Sequence, residues 1–533
     1  MHKILIANRG EIAVRVVRAC RDLGVGAVAV FSECDRGARH VRMADEAVAL
    51  GGNAPADSYL RIDRILHAAQ VSGADAIHPG YGFLSENPDF ARACRDARLT
   101  FIGPTPEAVA RVGSKTTARQ IAASAGVPVV SGTELPFGPD AAVADLATAA
   151  ARIGYPVLIK AVAGGGGKGM RVVASPDELE GAVRLARSEA ATAFGDSSVY
   201  LERYLQRPRH VEIQILADHH GNIRAFVERE CSIQRRHQKV IEESPSPVVE
   251  PALRTRLAAA AVAVAREAGY TNAGTVEFLL DESGYFYFLE VNARLQVEHP
   301  VTEMVAGVDL VQWQIRIARG ERLTLSADDT LIPSGHAIEC RVYAEDPDLG
   351  FLPSPGRVVA LRAPHGPGIR DDGWVESGSE IPIYYDSLLS KVIAWGEDRA
   401  QATARMRRAL AEYEVLGVRT TVPFSQWLLA RPEFVEARFH TSFLDGLLQQ
   451  RAGEPFEEAD SSLEEVAAMA ACLVEASTSA KATAVRSTSA KATADKSTAV
   501  EATVAGSPVR DLEDAASVGR SWKARARKES LRL

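Results

Sequence analysis

The chain has 533 residues, 46% of them hydrophobic and 24% charged, and a formal net charge of -8. That length predicts several domains, and the composition is that of a soluble globular protein rather than a general nucleic-acid or anionic-membrane binder, which would normally be basic. No apolar run approaches the ~20 residues of a membrane span, and the six scattered cysteines contain no CxxC pair, so neither a disulfide framework nor a zinc site is suggested and a reduced, cytosolic chain is expected.

The first hundred residues alternate strand and helix. Met1–Ala7 is too short for a signal peptide and reads as a buried strand over Lys3–Ala7. A helix over Glu11–Leu23 and a strand over Gly26–Phe31 follow. Next come a helix near Tyr59–Ser72, the strand Ala76–His78, a helix near Pro88–Ala97 and the strand Thr100–Ile102. This order predicts a parallel, Rossmann-like sheet, with ligands at the loops Asn8–Gly10 and His78–Asn87.

From about Lys115 the pattern changes. A helix over Thr116–Ala125 leads to a strand centred on Pro156–Ala161, then Gly164-Gly165-Gly166-Gly167-Lys168-Gly169 and a strand over Met170–Val173. A phosphate-binding Walker loop needs Ser or Thr after the lysine and a helix beyond it. A dinucleotide loop also needs that helix. A strand, a glycine loop and a second strand instead make a hairpin whose bare N–H groups and Lys168 can close over phosphates as a flap. Strands over Val211–Leu216 and Ala225–Glu230 and a helix over Pro251–Ala268 follow. Beyond Arg451 the pattern gives a helix over Ser461–Leu473 with Ser461 and Glu464 as a capping box. The repeated STSAKATA segment and a basic tail from Arg520 read as a disordered linker and end.

The stretch Gly274–Asn292 is the most informative. Glu277 interrupts one apolar strand, and Glu290 and Asn292 interrupt the next. A turn centred on Glu282-Ser283 makes the two glutamates diagonal neighbours, and one on Ser283-Gly284 makes them face each other. An odd-length loop puts them on different faces. Carboxylates and an amide converging between apolar strands suit Mg²⁺ or Mn²⁺ beside nucleotide phosphates; an exposed edge hairpin is the other possibility. Directly afterwards, Arg294, Gln296 and Glu298 supply a cation, an amide and a carboxylate, enough to bind a small anion and take a proton from it. The basic run Gln234–Lys239 becomes a phosphate contact if a triphosphate is near.

The order of lysines, glycine flap and Glu…Glu-x-Asn resembles the ATP-grasp fold. The strings IANRGEIAVRVVRA, HPGYGFLSEN, RPRHVEIQ, ERECSIQRRHQKVIEE, NARLQVEHPVTE, ECRVYAEDP and FLPSPG resemble biotin carboxylase, over about residues 1–448. The resemblance implies an α/β and α+β chain with a Rossmann-like N-terminal domain (1–113), an ATP-grasp domain (114–330, lid about 133–204) and a biotin carboxylase C-terminal domain (331–448). A helical extension (449–476) and the disordered tail (477–533) follow.

The implied ATP contacts are Lys115, Lys160, His210, Gln234 and His237, the hinge Glu202–Leu205 with Arg203 where lysine is common, and Gly165, Gly166, Gly167, Lys168, Gly169 and Met170. Glu277, Glu290 and Asn292 would hold two divalent ions. Arg294, Gln296 and the Val297 amide would bind bicarbonate, and Glu298 would deprotonate it. Lys239 and Arg341 would stabilise charge near carboxyphosphate and biotin, and Tyr81 would line the biotin pocket.

Biotin would arrive on a separate carrier protein, since none of the six methionines stands in an Ala-Met-Lys-Met motif, unless the chain is a fragment of a longer one. A carboxyltransferase partner and a homodimer are expected, with no nucleic-acid or membrane partner. Two other readings are another ATP-grasp ligase, such as a purine-pathway carboxylase or a carbamoyl-phosphate synthetase, and a catalytically dead ATP-binding protein. The first would not be expected to combine RLQVEHPVTE with HPGYGFLSEN.

Overall fold

Short β-branched runs separated by amphipathic helices begin the chain. In the computed structural model, which describes residues 1–162, 170–451, 453–456 and 469, they form β1 (Lys3–Ile6), β2 (Gly26–Ser32), β3 (Glu46–Gly51), β4 (Ala76–His78) and β5 (Thr100–Phe101). These pair in parallel in the order β3-β2-β1-β4-β5. The expected sheet lacked β3, a short edge strand in which only Leu50 is buried. Strand order reverses between β1 and β4, where a crevice opens at the carboxyl ends. There the Asn8 amide donates to the carbonyls of Pro79 (2.7 Å) and Tyr81 (2.8 Å), so the two expected ligand loops are tied together.

A small antiparallel sheet comes next, with β6 (Val157–Ala161) between β7 (Arg171–Val173) and β8 (Val199–Arg203). The helices Val143–Ile153 and Leu179–Phe194 pack on it, burying Leu146, Val157, Ile159, Val183 and Leu201 in one cluster. The glycine loop Gly165–Gly169 lies outside the described residues, as do the expected tail elements beyond residue 456, Met469 apart.

The largest element is a nine-stranded antiparallel sheet. Its strands are β9 (Arg209–Ala217), β10 (Ile223–Ala225), β11 (Arg229–Arg235), β12 (Gln238–Ser244), β13 (Asn272–Leu280), β14 (Phe286–Asn292) and β15 (His336–Tyr343), with Ile369–Gly373 and Leu388–Gly396. The path runs β14-β13-β9-β11-β12-β15, then Leu388–Gly396 and Ile369–Gly373, with β10 beside β9. The expected single strand Ala225–Glu230 is in fact two, because the chain leaves the ladder at Phe226–Glu228 before β11 begins. Alternation along β9 sends Val211, Ile213 and Ile215 to one face. The helix Pro251–Ala268, opened by Pro251 and closed by Gly269 at φ +63°, covers that face with Leu257, Ala261 and Val264. His210, Glu212 and Gln214 are left on the other face, which floors the site.

The β13–β14 hairpin meets none of the three register cases. The ladder pairs Phe278 with Phe288 but Glu277 with Glu290, so Leu289 is bulged out. The tip is a three-residue loop, Glu282–Gly284, with Gly284 in the left-handed region at φ +82°. An odd loop alone would separate the glutamates onto opposite faces, and the bulge returns them to the same one.

Leu257→Ala opens a cavity between this helix and the sheet. It should lower unfolding free energy by about 2–5 kcal/mol, read from the denaturant midpoint at unchanged slope.

Candidate active site

Register builds the floor of the site. Glu290 faces Glu277, Glu277 faces Glu212, and Glu212 faces Arg229, across four adjoining strands. Such a row of carboxylates, with Glu277 and Glu212 buried and Glu290 half-buried, needs cations among them. Lys239 supplies the first, its Nζ lying 2.6 Å from Glu212, 3.1 Å from Glu277 and 2.6 Å from Glu298. Burial alone would lower the Lys239 ammonium, but these three carboxylates hold it well above its ordinary value. Arg229, fully buried, supplies the second: Nε is 2.5 Å from Glu212, and the rest of the guanidinium donates to Gln214, Thr302 and Thr275.

Glu277 is the most heavily bonded carboxylate of this floor. It accepts from Lys239, from the Asn292 amide (2.9 Å) and from the Gln296 amide (3.1 Å), and His210 Nε2 lies 2.9 Å away. Burial pushes Glu277 up, but Lys239 and His210 outweigh it and hold the carboxyl well below the usual range. Its partner behaves in the opposite way. Burial, and then the charge on Glu277, push Glu290 up, with Lys115 pulling against them. Two enclosed carboxylates face to face, one over-stabilised as an anion and the other under-stabilised, with the Asn292 amide beside them, are an all-oxygen donor set fitting a hard divalent cation.

Past β14 the chain turns through Arg294–Glu298 into the helix His299–Ala306. The Arg294 guanidinium donates to Gln296 Oε1 (2.9 Å) and Asn292 Oδ1 (3.1 Å), and its Nε to Glu86 (2.9 Å) from the N-terminal domain. Glu298 is fully buried between Lys239 and Arg341, whose NH2 is 3.1 Å from Oε2. Burial opposes its ionisation, yet Lys239, Arg341 and Arg229 together hold it well below the usual carboxylate range. Arg341 is itself anchored on Glu242, with Nε 2.6 Å away.

The lysines expected at the nucleotide sit at the far side of this floor. Lys160 Nζ lies 2.5 Å from Glu202, which also pairs with Arg119. Lys115 is lowered by burial, with Glu290 opposing and Lys160 adding to the effect, so both lysines bear on the same space. The hinge leaves β8 with Arg203 exposed and Leu205 half-buried, and the Arg203 amide donates to the Ser131 carbonyl at 2.8 Å. Gln234 Nε2 bonds His210 Nδ1 at 2.9 Å. His237 stands exposed on the two-residue turn between β11 and β12, away from the buried cluster, and Met170 is half-buried just before β7.

Glu212, Arg229, Glu242, Glu86 and Arg119 were not singled out from the sequence. The first was findable: period-two alternation in RHVEIQ puts Glu212 on the His210 face. The others are recognisable only by what they touch.

Fold and site together define an ATP-grasp ligase: a carboxylate-floored antiparallel sheet between a small lid-like sheet and a Rossmann-like domain. Residues 114–326 match the family model for the carbamoyl-phosphate synthase L chain ATP-binding domain. Residues 1–109 and 339–446 match the biotin carboxylase N-terminal and C-terminal domain models. Among relatives, biotin carboxylase of Nostoc sp. is 54% identical over 442 residues, covering 83% of this chain and 98% of that one. A biotin carboxylase of Bacillus subtilis is 50% identical over 444 residues, again covering 83% and 98%. Two solved structures each superpose with a TM-score of 0.81. Biotin carboxylase from Campylobacter jejuni is 44% identical, covering 83% of this chain and 98% of that one. The biotin carboxylase domain dimer of Hydrogenobacter thermophilus 2-oxoglutarate carboxylase, with MgADP, ADP and bicarbonate, is 46% identical, covering 86% and 99%. The chain belongs to the biotin carboxylase family.

Lys239→Met leaves three buried carboxylates sharing too little positive charge. It should lose about 3–5 kcal/mol of stability at neutral pH. In the wild type, Glu277 and Glu298 have depressed values. Their contribution is complete above the ordinary carboxylate pKa of about 4.3 and is lost as pH falls below it. In the variant the orphaned carboxylates are raised instead, so it should regain stability from pH 8 down to pH 5; thermal melts across that range test the opposite slopes.

Proposed function

We propose that the chain performs the ATP-driven half of a biotin-dependent carboxylation, with Glu298 as the proton acceptor. One observation carries this reading: a fully buried carboxylate is clamped between Lys239 and Arg341, one short loop from Arg294 and Gln296. Bicarbonate held by Arg294, Gln296 and the Val297 amide gives its hydroxyl proton to Glu298. Its oxygen attacks the γ-phosphorus of ATP, the bond to the β-phosphate oxygen breaks, and carboxyphosphate and ADP form.

Glu298 is a weak base while both cations hold it. Phosphates drawing Lys239 away would raise its basicity when the proton must move. Glu277, Glu290 and Asn292 are the residues to hold Mg²⁺ or Mn²⁺, which when bound neutralises charge on the nucleotide phosphates. Lys115, Lys160, His210, Gln234 and His237 serve the nucleotide, the Glu202–Leu205 backbone its adenine side, and Gly165–Gly169 and Met170 the closing lid.

In the second stage the carbon–oxygen bond of carboxyphosphate breaks to give CO₂ and phosphate. Phosphate takes the proton from the ureido nitrogen of biotin, and that nitrogen bonds to CO₂. Arg341 faces the enolate-like ureido oxygen, and Tyr81 lines the pocket. Carboxyphosphate hydrolyses in water, so the site must close around it.

The biotin rides on a separate carrier protein, and a carboxyltransferase decides the final acceptor. An acyl-CoA, acetyl-CoA or propionyl-CoA among them, is the acceptor class we adopt, with fatty acid biosynthesis as one setting for it. A cytoplasmic homodimer is the assembly proposed, supported by the dimeric Hydrogenobacter relative.

ADP release should depend on bicarbonate and rise with free biotin, and Glu298→Gln should lower that rate by about 10²–10⁴-fold. Equal rates with and without biotin, in protein that binds the nucleotide, would instead identify a catalytically dead ATP-binding protein.

A further inference from the structure

A buried lysine outside the ATP cluster lies directly behind the Arg294–Glu298 loop. Lys391, on the strand Leu388–Gly396, is fully enclosed and pairs across the ladder with Arg341, so the two cations stand side by side on one face. Its Nζ donates to the Val297 carbonyl at 2.8 Å. Glu11, at the start of the helix Gly10–Asp22, approaches it at 3.3 Å, and the ring centre of Tyr81 is 5.9 Å away. One ammonium thus joins three parts of the chain that are far apart in sequence.

The geometry of that loop gives the contact a purpose. The Gln296 carbonyl accepts from His299, at 3.3 Å from the backbone N–H and 2.8 Å from Nδ1. In a trans peptide the N–H points opposite to the carbonyl, so holding the Gln296 carbonyl aims the Val297 N–H the other way. Lys391 fixes the next carbonyl along. With both flanking carbonyls committed to the protein interior, the intervening amide cannot rotate away from the anion it serves.

We infer that Lys391 is a positioning residue for bicarbonate, locking the backbone of Val297 so that its amide and the neighbouring Glu298 meet the anion in register. This rests on the reading of the loop as the bicarbonate site. Lys391 acts through Val297 and touches no substrate itself. A misaligned donor weakens anion capture and leaves the nucleotide side, built on other strands, untouched.

Steady-state kinetics of the full chain, with free biotin as acceptor, separate the two. Lys391→Met should raise the KM for bicarbonate about tenfold or more, as expected for a lost charge-assisted hydrogen bond, with the KM for MgATP within about twofold of wild type. Lys391→Arg, which keeps a cationic donor, should recover part of the bicarbonate affinity. An unchanged bicarbonate KM, or equal rises for both substrates, would overturn the assignment. If Lys391→Met does not fold, Glu11→Gln, which loosens the ammonium without removing it, takes its place. A bicarbonate KM up by about threefold at constant MgATP KM supports the role, and an unmoved one overturns it. The wild type is the control: ATP cleavage indifferent to bicarbonate there would remove the reading of the loop itself, whereas a dependent wild type with unmoved variants removes only the role of Lys391.

Discussion

Like charge held out of water is the constraint around which this protein is arranged. Glu277, Glu212 and Glu298 converge on one side of a buried sheet with Glu290 alongside, and no low-dielectric interior tolerates that without opposite charge in contact. Lys239 sits among three of them, Arg229 lies beneath Glu212, and Arg341 closes the far side of Glu298. A hydrophobic floor of the same volume would be as stable or more so, because ion pairs of this kind recover little beyond their own desolvation. Its charge therefore points to chemistry, the place where strongly shifted carboxylates concentrate. The same cations that make the floor foldable also keep Glu298 ionised.

The strands explain why those groups can be held so closely. Side-chain alternation on β9 assigns Val211, Ile213 and Ile215 to the helix Pro251–Ala268 and His210, Glu212 and Gln214 to the site. One strand thus serves the apolar core and the ionic floor. The N-terminal domain reaches the same place through Glu86 on Arg294 and Glu11 beside Lys391, and the C-terminal strands contribute Arg341 and Lys391. Domains that separate in sequence share a single charge network.

Much of this was legible in the sequence, for identifiable reasons. Alternating apolar runs and helices gave the parallel sheet. The helix Pro251–Ala268 was read to the residue because Pro and Gly punctuate both its ends. Polar interruptions in apolar strands marked Glu277, Glu290 and Asn292. What escaped detection had a short, misleading or non-local signal. β3 is an edge with few buried side chains, and the break at Phe226–Glu228 falls inside an apolar run that reads as continuous strand. Lys391 meets Val297 across 94 residues, a separation that no periodicity reports.

The bulge at Leu289 has a consequence for how this hairpin can vary. Loop and bulge are two half-period errors that cancel, like a pair of compensating frameshifts. Inserting or deleting one residue at Glu282–Gly284 would leave one error uncorrected and turn Glu290 and Asn292 away from Glu277, or push the apolar strand tip to the wrong side. Changes of two residues keep the phase. The tip can therefore lengthen or shorten only in even steps, although it is exposed and far from the chemistry, unless a second change removes the bulge at the same time.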